Sequence, residues 1–544
     1  MKTTDFDPQA FKSYFPALAD DSIHYLDNAA TTQKPASVIE AFSAYYSSTV
    51  GNAHRGSHRF SRAATETIES CRHRCAEFIN AENANTMVFT QSCTAALNTL
   101  AKGLAENLQA GDEIILSLLE HHANLIPWQE VAEKKQLKLK FLPLKNGQLD
   151  WQAAKPLISD KTRIVSITAC SNTLGCSSQL GELKKLLPKH CTFIVDAAQA
   201  IAHQQIDVQE LECDFLCFSA HKMFGPEGLG ILYGKQERLN DLPPLLSGGG
   251  MIQQVSLQNS SYLNAPHRFE AGSPATANVA AFSAALQFFK QWPLTQMQQH
   301  INDLCEQAHH RLSEFSELTL FSQANNTAAI VCFSLQQQEL NIELADYLDQ
   351  NGIAIRHGHH CTQPLLQELG QSSLLRASIA PYNQLNDIEA LVNACAEFLS
   401  AQEQIKSETE LSSNELDSKR AEEIKRAKSW QQRQKQLILW GKNISTKKDI
   451  QQAHLLIPGC ESALWLEAKR GDGHWHFRHD SDARLIRGIS ALILSWVEGA
   501  SSQEITDFDF TKAIDELQLK NYLSPSRSNG VYSLVEHLQN LAKD

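Results

Sequence analysis

Between residues 24 and 235 short apolar runs alternate with amphipathic stretches, and this alternation restricts the chain to an α/β fold before any motif is considered. The runs TMVFT, DEIILSL, TRIVSIT, TFIVDAA and DFLCFSA are β-branched or aromatic and end in small or polar residues. Between them lie helical patterns such as 95–107 and 181–187. Strands separated by helices join in parallel, are covered on both faces, and bind ligands beyond their carboxyl ends. Residues 274–399 read as helix, strand, helix, a Gly/His loop and two more helices, which suits a second, smaller domain. From 401 to 429 the chain has no Gly, Pro or aromatic residue and many charges, the pattern of a solvated linker with helical tendency. A new apolar pattern starts at Trp430 and runs to the end, predicting a separate small domain. The 544 residues are too many for one hydrophobic core.

The formal charge of -13 argues against a nucleic-acid binder, which needs a dense basic surface. No run of 18 apolar residues occurs, and the start MKTTDFDPQAFKSYF has no apolar leader, so a cytoplasmic chain with no membrane partner is expected. The 13 cysteines show no repeated CxxC pairing. Most are expected to be reduced, buried thiols, and the informative ones are those with reactive surroundings.

SAHKMFGPEGLG carries the strongest signal. Lys222 follows a strand-like run, comes after Ser219 and His221, and precedes a Gly-rich turn. A desolvated lysine there can form a Schiff base while hydroxyl and imidazole groups take a phosphate. Upstream, Asp196 ends the apolar run of FIVDAAQA, where a carboxylate can pair with a pyridinium nitrogen. Gln199 lies one helical turn further. Cys361 ends IRHGHHC, among histidines that favour a reactive thiolate and after Gly358, which permits loop bending. Zinc ligation by these adjacent residues is the alternative, disfavoured because neighbours in sequence do not wrap one tetrahedron.

Nearly all of residues 1–400 resembles the SufS/CsdA (group II) cysteine desulfurases, through YLDNAATTQKP, EHHANLIPWQ, SNTLGC, VDAAQA, SAHKMFGPEGLGILYG, RFEAGSP, HGHHC and RASIAPYN. The resemblance implies a pyridoxal 5'-phosphate (PLP) enzyme of fold type I, with a large domain at about 25–270 and a small one at about 1–24 and 271–400. It implies that Lys222 links to the cofactor and that Asp196 and Gln199 bind its ring. His121 stacks on the ring and carries protons, and Asn172 meets the ring oxygen and substrate. Thr94, Cys93, Ser219 and His221 surround the phosphate, while Ser273 reaches the phosphate of a neighbouring subunit, so a homodimer is expected. Arg376 clamps the substrate carboxylate beside Ala29, and Cys361 takes the sulfur of L-cysteine as a persulfide. The chain departs from the family's RGTTEA segment, reading QSCTAA, and carries Ala169 where a His is common. Two other readings share this site: selenocysteine lyase activity, and a scaffold with a degenerate desulfurase half.

The last segment contains LLIPGCESALWLEA, HFRHDSDARLIRGISALILSWVEG and YLSPSRSNGVYSLVEHL. Locally Cys460 reads as a turn cysteine after Pro458 and Gly459, with Arg487 a candidate source of positive charge. Together the three stretches resemble the SufE/CsdE sulfur acceptors over 430–544. That resemblance implies an α+β domain whose Cys460 receives sulfur from Cys361 and passes it to a downstream acceptor such as an iron–sulfur scaffold. No metal site is expected, although His474, His476 and His479 invite one. A flexible tether of the length of 401–429 spans roughly 30 Å and gives an effective concentration on the order of mM.

Overall fold

The computed structural model describes residues 5–48, 50–54, 56–407, 418–427, 430–459, 462–517, 523 and 525–543. The chain divides into two units, Met1–Gln336 with Gly352–Val392, and Gln337–Asn351 with Asn393–Asp544.

A seven-stranded sheet organises the first unit. In chain order its strands are β1 (Met87–Thr90), β2 (Glu113–Ser117), β3 (Lys138–Leu142), β4 (Thr162–Thr168), β5 (Thr192–Asp196), β6 (Phe215–Ser219) and β7 (Gly230–Gly234). Their spatial order is β1-β7-β6-β5-β4-β2-β3. Every pairing from β6 to β3 is parallel, and β7 runs antiparallel to both β1 and β6. The mainly parallel sheet agrees with the sequence pattern. Strands β2, β5 and β6 are buried along their whole length, which is why they read as continuous apolar runs rather than as alternation. The reading missed β3 because it mixes lysines with apolar residues, and β7 because its bounding glycines look like a turn.

Helices α1 (Arg59–Phe78) and α2 (Cys93–Ala105) cover this sheet. The next long helix, α3 (Thr276–Lys290), falls inside the range expected for the smaller domain. Its Val279, Phe282 and Ala285 nevertheless share the large core with Ile68 and Cys71 of α1. The smaller sheet is antiparallel, with β8 (Leu318–Leu320), β9 (Ile330–Leu335), β10 (Arg356–Gly358) and β11 (Leu374–Ser378) in the order β8-β9-β11-β10. Two helices do follow the Gly/His loop, Gln363–Glu368 and α4 (Leu385–Ser407), but the sequence reading overlooked β11 between them. That strand is fully buried and carries Arg376, so its charge disguised it.

The C-terminal part contains α5 (Ser418–Arg426), α6 (Trp430–Asn443), the hairpin β12 (Leu464–Gly471) and β13 (His474–Ser481), α7 (Arg484–Ser495) and α8 (Pro525–Leu541). It is α+β, as expected. Its core joins Leu437 and Trp440 of α6, Ile489 and Leu492 of α7 and Leu534 of α8. Helices α6 and α7 cross at paired glycines. A Cβ on Gly488 would lie 1.9 Å from the Leu437 carbonyl oxygen, and one on Gly441 1.9 Å from that of Arg484. The stretch expected as a linker is helical at both ends: α4 continues to Ser407, and Ala421 and Ile424 of α5 are buried in the C-terminal core. Residues 408–417 between them lie outside the described residues.

Candidate active site

Strands β4, β5 and β6 end in register, Thr168 opposite Asp196 and Asp196 opposite Cys217. Their carboxyl ends therefore present Thr168, Asp196 and Ser219 in a row, and a single 3-10 turn, Ala220–Lys222, carries Lys222 back over them. A cavity of about 270 Å³ opens there. It brings together Ala29, Cys93, Thr94, His121, Asn172, Asp196, Gln199, Ser219, His221, Lys222, Cys361 and Arg376, all of them named from the sequence. Ser273 is not among them. It lines a separate cavity of about 380 Å³ with Gln91 and Glu270, and its expected role concerns a partner subunit.

One end of the cavity is built for a cation. Asp196 is buried, its Oδ1 accepts the Ala198 N–H at 2.9 Å, and the Cys93 thiol approaches it at 3.5 Å. Burial raises its carboxyl pKa, opposed by the Ala198 hydrogen bond and the charge of Lys222. Burial lowers the pKa of Lys222, with Asp196 opposing, so the amine is easier to deprotonate. At the other end α2 begins, with the Ser92 hydroxyl capping it through the Ala95 N–H at 3.1 Å. The Cys93 N–H donates to Ser219 Oγ at 2.8 Å, fixing that hydroxyl beside the helix start. Gly230 on β7 passes so close beneath that a Cβ would lie 2.2 Å from the Ser92 carbonyl carbon. Helix starts attract anions, and Thr94, Ser219 and His221 add donors there. The His221 imidazole stays neutral, its pKa lowered to about 4 by burial, Lys222 and Lys34. A buried carboxylate, an amine of lowered basicity and an anion-binding helix start around one cavity fit an aldehyde cofactor with a basic ring nitrogen and a phosphate, as PLP is.

His121 sits where the chain leaves the sheet, braced by its neighbour. Glu120 is buried and accepts the Thr168 N–H at 2.9 Å, Asn124 Nδ2 at 2.6 Å and the Ser117 hydroxyl at 2.5 Å. His121 Nδ1 accepts the Ala123 N–H at 3.0 Å, which leaves the ring proton on Nε2. Burial, Lys222 and other nearby cations lower its pKa to about 3, so the ring is neutral at physiological pH. Gln199 donates its amide to the Ala29 carbonyl at 2.8 Å, and Asn172 donates to the His360 carbonyl at 2.7 Å.

Arg376 is buried on β11. Its two terminal nitrogens donate to Asp27 Oδ1 at 3.0 Å and the Asn172 carbonyl at 2.8 Å, and its Nε has no partner among the described residues. Arg356 reaches the other Asp27 oxygen at 3.4 Å. The sequence assigns Asp27 no role, because a single acidic residue before Asn-Ala-Ala does not announce arginine partners 329 and 349 residues away. Thr168, at the end of β4, and Cys170, just beyond it, also line the cavity and carry no signal of their own in the sequence.

Twelve of the cysteines lie in the described residues, and among them Cys361 is exposed while the rest are buried. Gly358, His360 and Cys361 all have positive φ, 123°, 51° and 56°. A left-handed conformation is costly for the two non-glycine residues and persists because the loop is tied down. The Cys361 carbonyl accepts the His122 N–H at 2.8 Å, and His360 Nε2 meets the Leu374 carbonyl at 3.0 Å.

Cys460 lies outside the described residues. On either side of it, the Ile457 N–H closes onto the Leu464 carbonyl at 2.8 Å and Gly459 has φ 96°. Arg487 is no free source of charge: its Nε donates to Asp480 Oδ1 at 2.9 Å inside the core. His474 and His476 share the exposed face of β13, and His476 pairs with Glu498 at 2.8 Å. His479 faces the core, where its Nδ1 meets Ser490 Oγ at 2.9 Å.

Comparison with known proteins follows the same division. Residues 24–391 match the Aminotransferase class-V family, and 418–542 match the Fe-S metabolism associated domain, SufE. A probable cysteine desulfurase of Halalkalibacterium halodurans is 40% identical over 387 residues, covering 70% of this chain and 95% of that protein. The crystal structure of the Escherichia coli cysteine desulfurase CsdA, in an S-sulfonic acid form, superposes with a TM-score of 0.67 at 37% identity, over 73% of this chain and 99% of that one. An apo cysteine desulfurase from Thermococcus onnurineus gives 0.70 at 33% identity, over 74% and 100%. The chain thus belongs to the cysteine desulfurases of the class-V aminotransferase family and carries a SufE domain at its C-terminal end.

Proposed function

We infer that the chain is a PLP-dependent cysteine desulfurase that hands the sulfur it removes to its own SufE domain. The observation that carries this reading is the single cavity in which Lys222, Asp196, His121, Arg376 and Cys361 meet. Bound PLP supplies an electron sink that weakens bonds at the substrate's α- and β-carbons. Lys222 holds it covalently, Asp196 keeps its ring nitrogen protonated, and the α2 start with Thr94, Ser219 and His221 holds its phosphate. Arg376 orients the substrate carboxylate through its fork of donors. Lys222, whose basicity burial lowers, and His121, neutral in its buried setting, take up and return protons.

Cys361 then attacks the sulfur of L-cysteine. A sulfur–sulfur bond forms, the substrate Cβ–S bond breaks, and Cβ gains a proton, so alanine leaves and Cys361 keeps a persulfide. In the second step the Cys460 thiolate attacks the outer sulfur and Cys361 departs as a thiolate. Tethering raises the local concentration of the acceptor thiol. Iron–sulfur cluster assembly is the destination that the SufE family's description favours. A homodimer in which Ser273 serves the partner's phosphate site, and a cytoplasmic address, complete the proposal. Among the described residues no helix is long and apolar enough to cross a membrane.

Alanine release from L-cysteine, measured with the cofactor's visible absorbance, tests the reading. Lys222→Ala is expected to lose both the lysine-linked absorbance and turnover. Cys361→Ala is expected to keep the absorbance and lose turnover with cysteine. Full cysteine turnover in Cys361→Ala would exclude the persulfide step, and faster turnover of selenocysteine than of cysteine in the unaltered enzyme would favour a lyase.

A further inference from the structure

A second cluster of potential ligands lies away from the cavity just described. His54, Glu69 and His267 come from three separate segments, yet one ligand atom from each lies within 4.8 Å of the others. Glu69 is on α1. The loop before α1 is pinned to it: the Ser61 hydroxyl caps Gly56 N–H at 2.9 Å and donates to the Asn52 carbonyl at 2.6 Å. The His54 N–H donates to Thr65 Oγ1 at 2.8 Å, one helical turn before Glu69, so the loop delivers His54 to the Glu69 face of the helix. His54 has φ 72°, an unfavourable conformation for this residue outside a constrained setting. His267 opens a short 3-10 turn, and its ring lies 5.3 Å from that of His54, centroid to centroid, at 67°.

The local charges also leave Glu69 available. Arg72, buried one turn along α1, is held bidentately by Glu270 at 2.7 and 2.9 Å, whereas its contacts to Glu69 are longer, 3.1 and 3.4 Å. Glu270 thus holds the guanidinium through the shorter pair of contacts, and Glu69, 36% exposed and ion-paired to Arg72, would leave Arg72 with that bidentate partner on turning to a second cation.

We propose that His54, Glu69 and His267 bind a divalent transition-metal ion of the zinc class. Two imidazoles and one carboxylate suit Zn²⁺, Co²⁺ or Ni²⁺ and do not suit Mg²⁺ or Ca²⁺, which prefer oxygen alone. Ligand atoms about 2.0–2.2 Å from a tetrahedral ion sit about 3.3–3.6 Å apart, so side-chain rotations of about an ångström close the set, with water completing the shell. The ion would join the segment that carries His54, α1 and the 267–270 turn. Through Glu270, which accepts the Phe89 N–H at 2.8 Å, that turn is tied to β1.

The test uses the full-length, untagged, PLP-loaded chain with Cys361→Ser and Cys460→Ser, which removes the two sulfur-carrying thiols as adventitious zinc ligands. After equilibration with ZnCl2 and dialysis, metal content is counted per chain. The parent and a control, His310→Ala, are expected to hold one more Zn²⁺ than His54→Ala or His267→Ala. Glu69→Gln, which keeps the side-chain shape and leaves Arg72 its bidentate partner Glu270, is expected to lose it too. The cofactor's absorbance confirms that each variant is folded. Equal zinc content in all four variants would overturn the site.

Discussion

Replacing Asp27 by Asn removes the carboxylate that, among the described residues, pairs with both Arg376 and Arg356 beside the cavity. Arg376 is only 3% exposed in its side chain and Asp27 20%, and Arg356 stands 3.4 Å away as a second cation. Removing one partner of a buried pair costs about 3–5 kcal/mol, because the other charge remains uncompensated. Asp27 keeps some solvent and Arg376 keeps its bond to the Asn172 carbonyl, so the lower end, about 3 kcal/mol, is expected. In a domain of this size that corresponds to a fall in Tm of roughly 3–6 °C. The substrate carboxylate carries the charge the variant lacks. Thermal unfolding of Asp27→Asn and the unaltered enzyme, each with and without saturating L-alanine, is therefore expected to show a gap that at least halves when the amino acid is bound. A gap that stays the same would refute the claim that Arg376, released from Asp27, takes the carboxylate.

Cys93→Ala removes only a weak thiol contact to Asp196 at 3.5 Å, so alanine release should fall by less than about tenfold, whereas Asp196→Asn should cost more than about a hundredfold; equal losses would mean that Cys93 does more than brace the carboxylate. His479 is buried with its pKa lowered to about 3, against about 6.5 when unfolded. Between these values the unfolded chain binds the extra proton, so stability present above pH 7 is lost as pH falls, by about 2 kcal/mol at pH 5. His479→Gln should flatten this acid dependence in the C-terminal unit, measured by proteolysis rates of the full chain from pH 7 to 5; an unchanged slope would contradict it. Gly488→Ala would place a methyl against the Leu437 carbonyl and should destabilise the same unit by about 3 kcal/mol or more, read as faster cleavage there while cofactor absorbance persists; wild-type resistance would contradict the close helix crossing.

The cofactor end of the site was legible because its residues close strands or open helices: Asp196 ends β5, Ser219 ends β6, and Cys93 and Thr94 begin α2. Such positions follow from the apolar runs and from the rule that ligands bind at strand ends. The substrate end was less legible. Asp27 and Arg376 are paired across the chain, and Arg376 lies on a short strand whose buried charge broke the apolar pattern. For Arg487 the sequence suggested a free charge because its ion pair with Asp480, formed between β13 and α7, has no local signature. The charged stretch after 401 read as linker from composition alone, although Ala421 and Ile424 lie on the apolar stripe that seats α5 in the C-terminal core. His54, Glu69 and His267 are scattered in sequence and meet only once α1 and the turn beyond the main sheet are in place.

The relay from Cys361 to Cys460 is the central claim, and mass spectrometry of the intact chain after incubation with L-cysteine tests it most directly. Persulfide is expected on both cysteines in the unaltered protein, on Cys361 alone in Cys460→Ser, and on neither in Cys361→Ser. Persulfide on Cys460 in the Cys361→Ser protein would contradict the order of transfer.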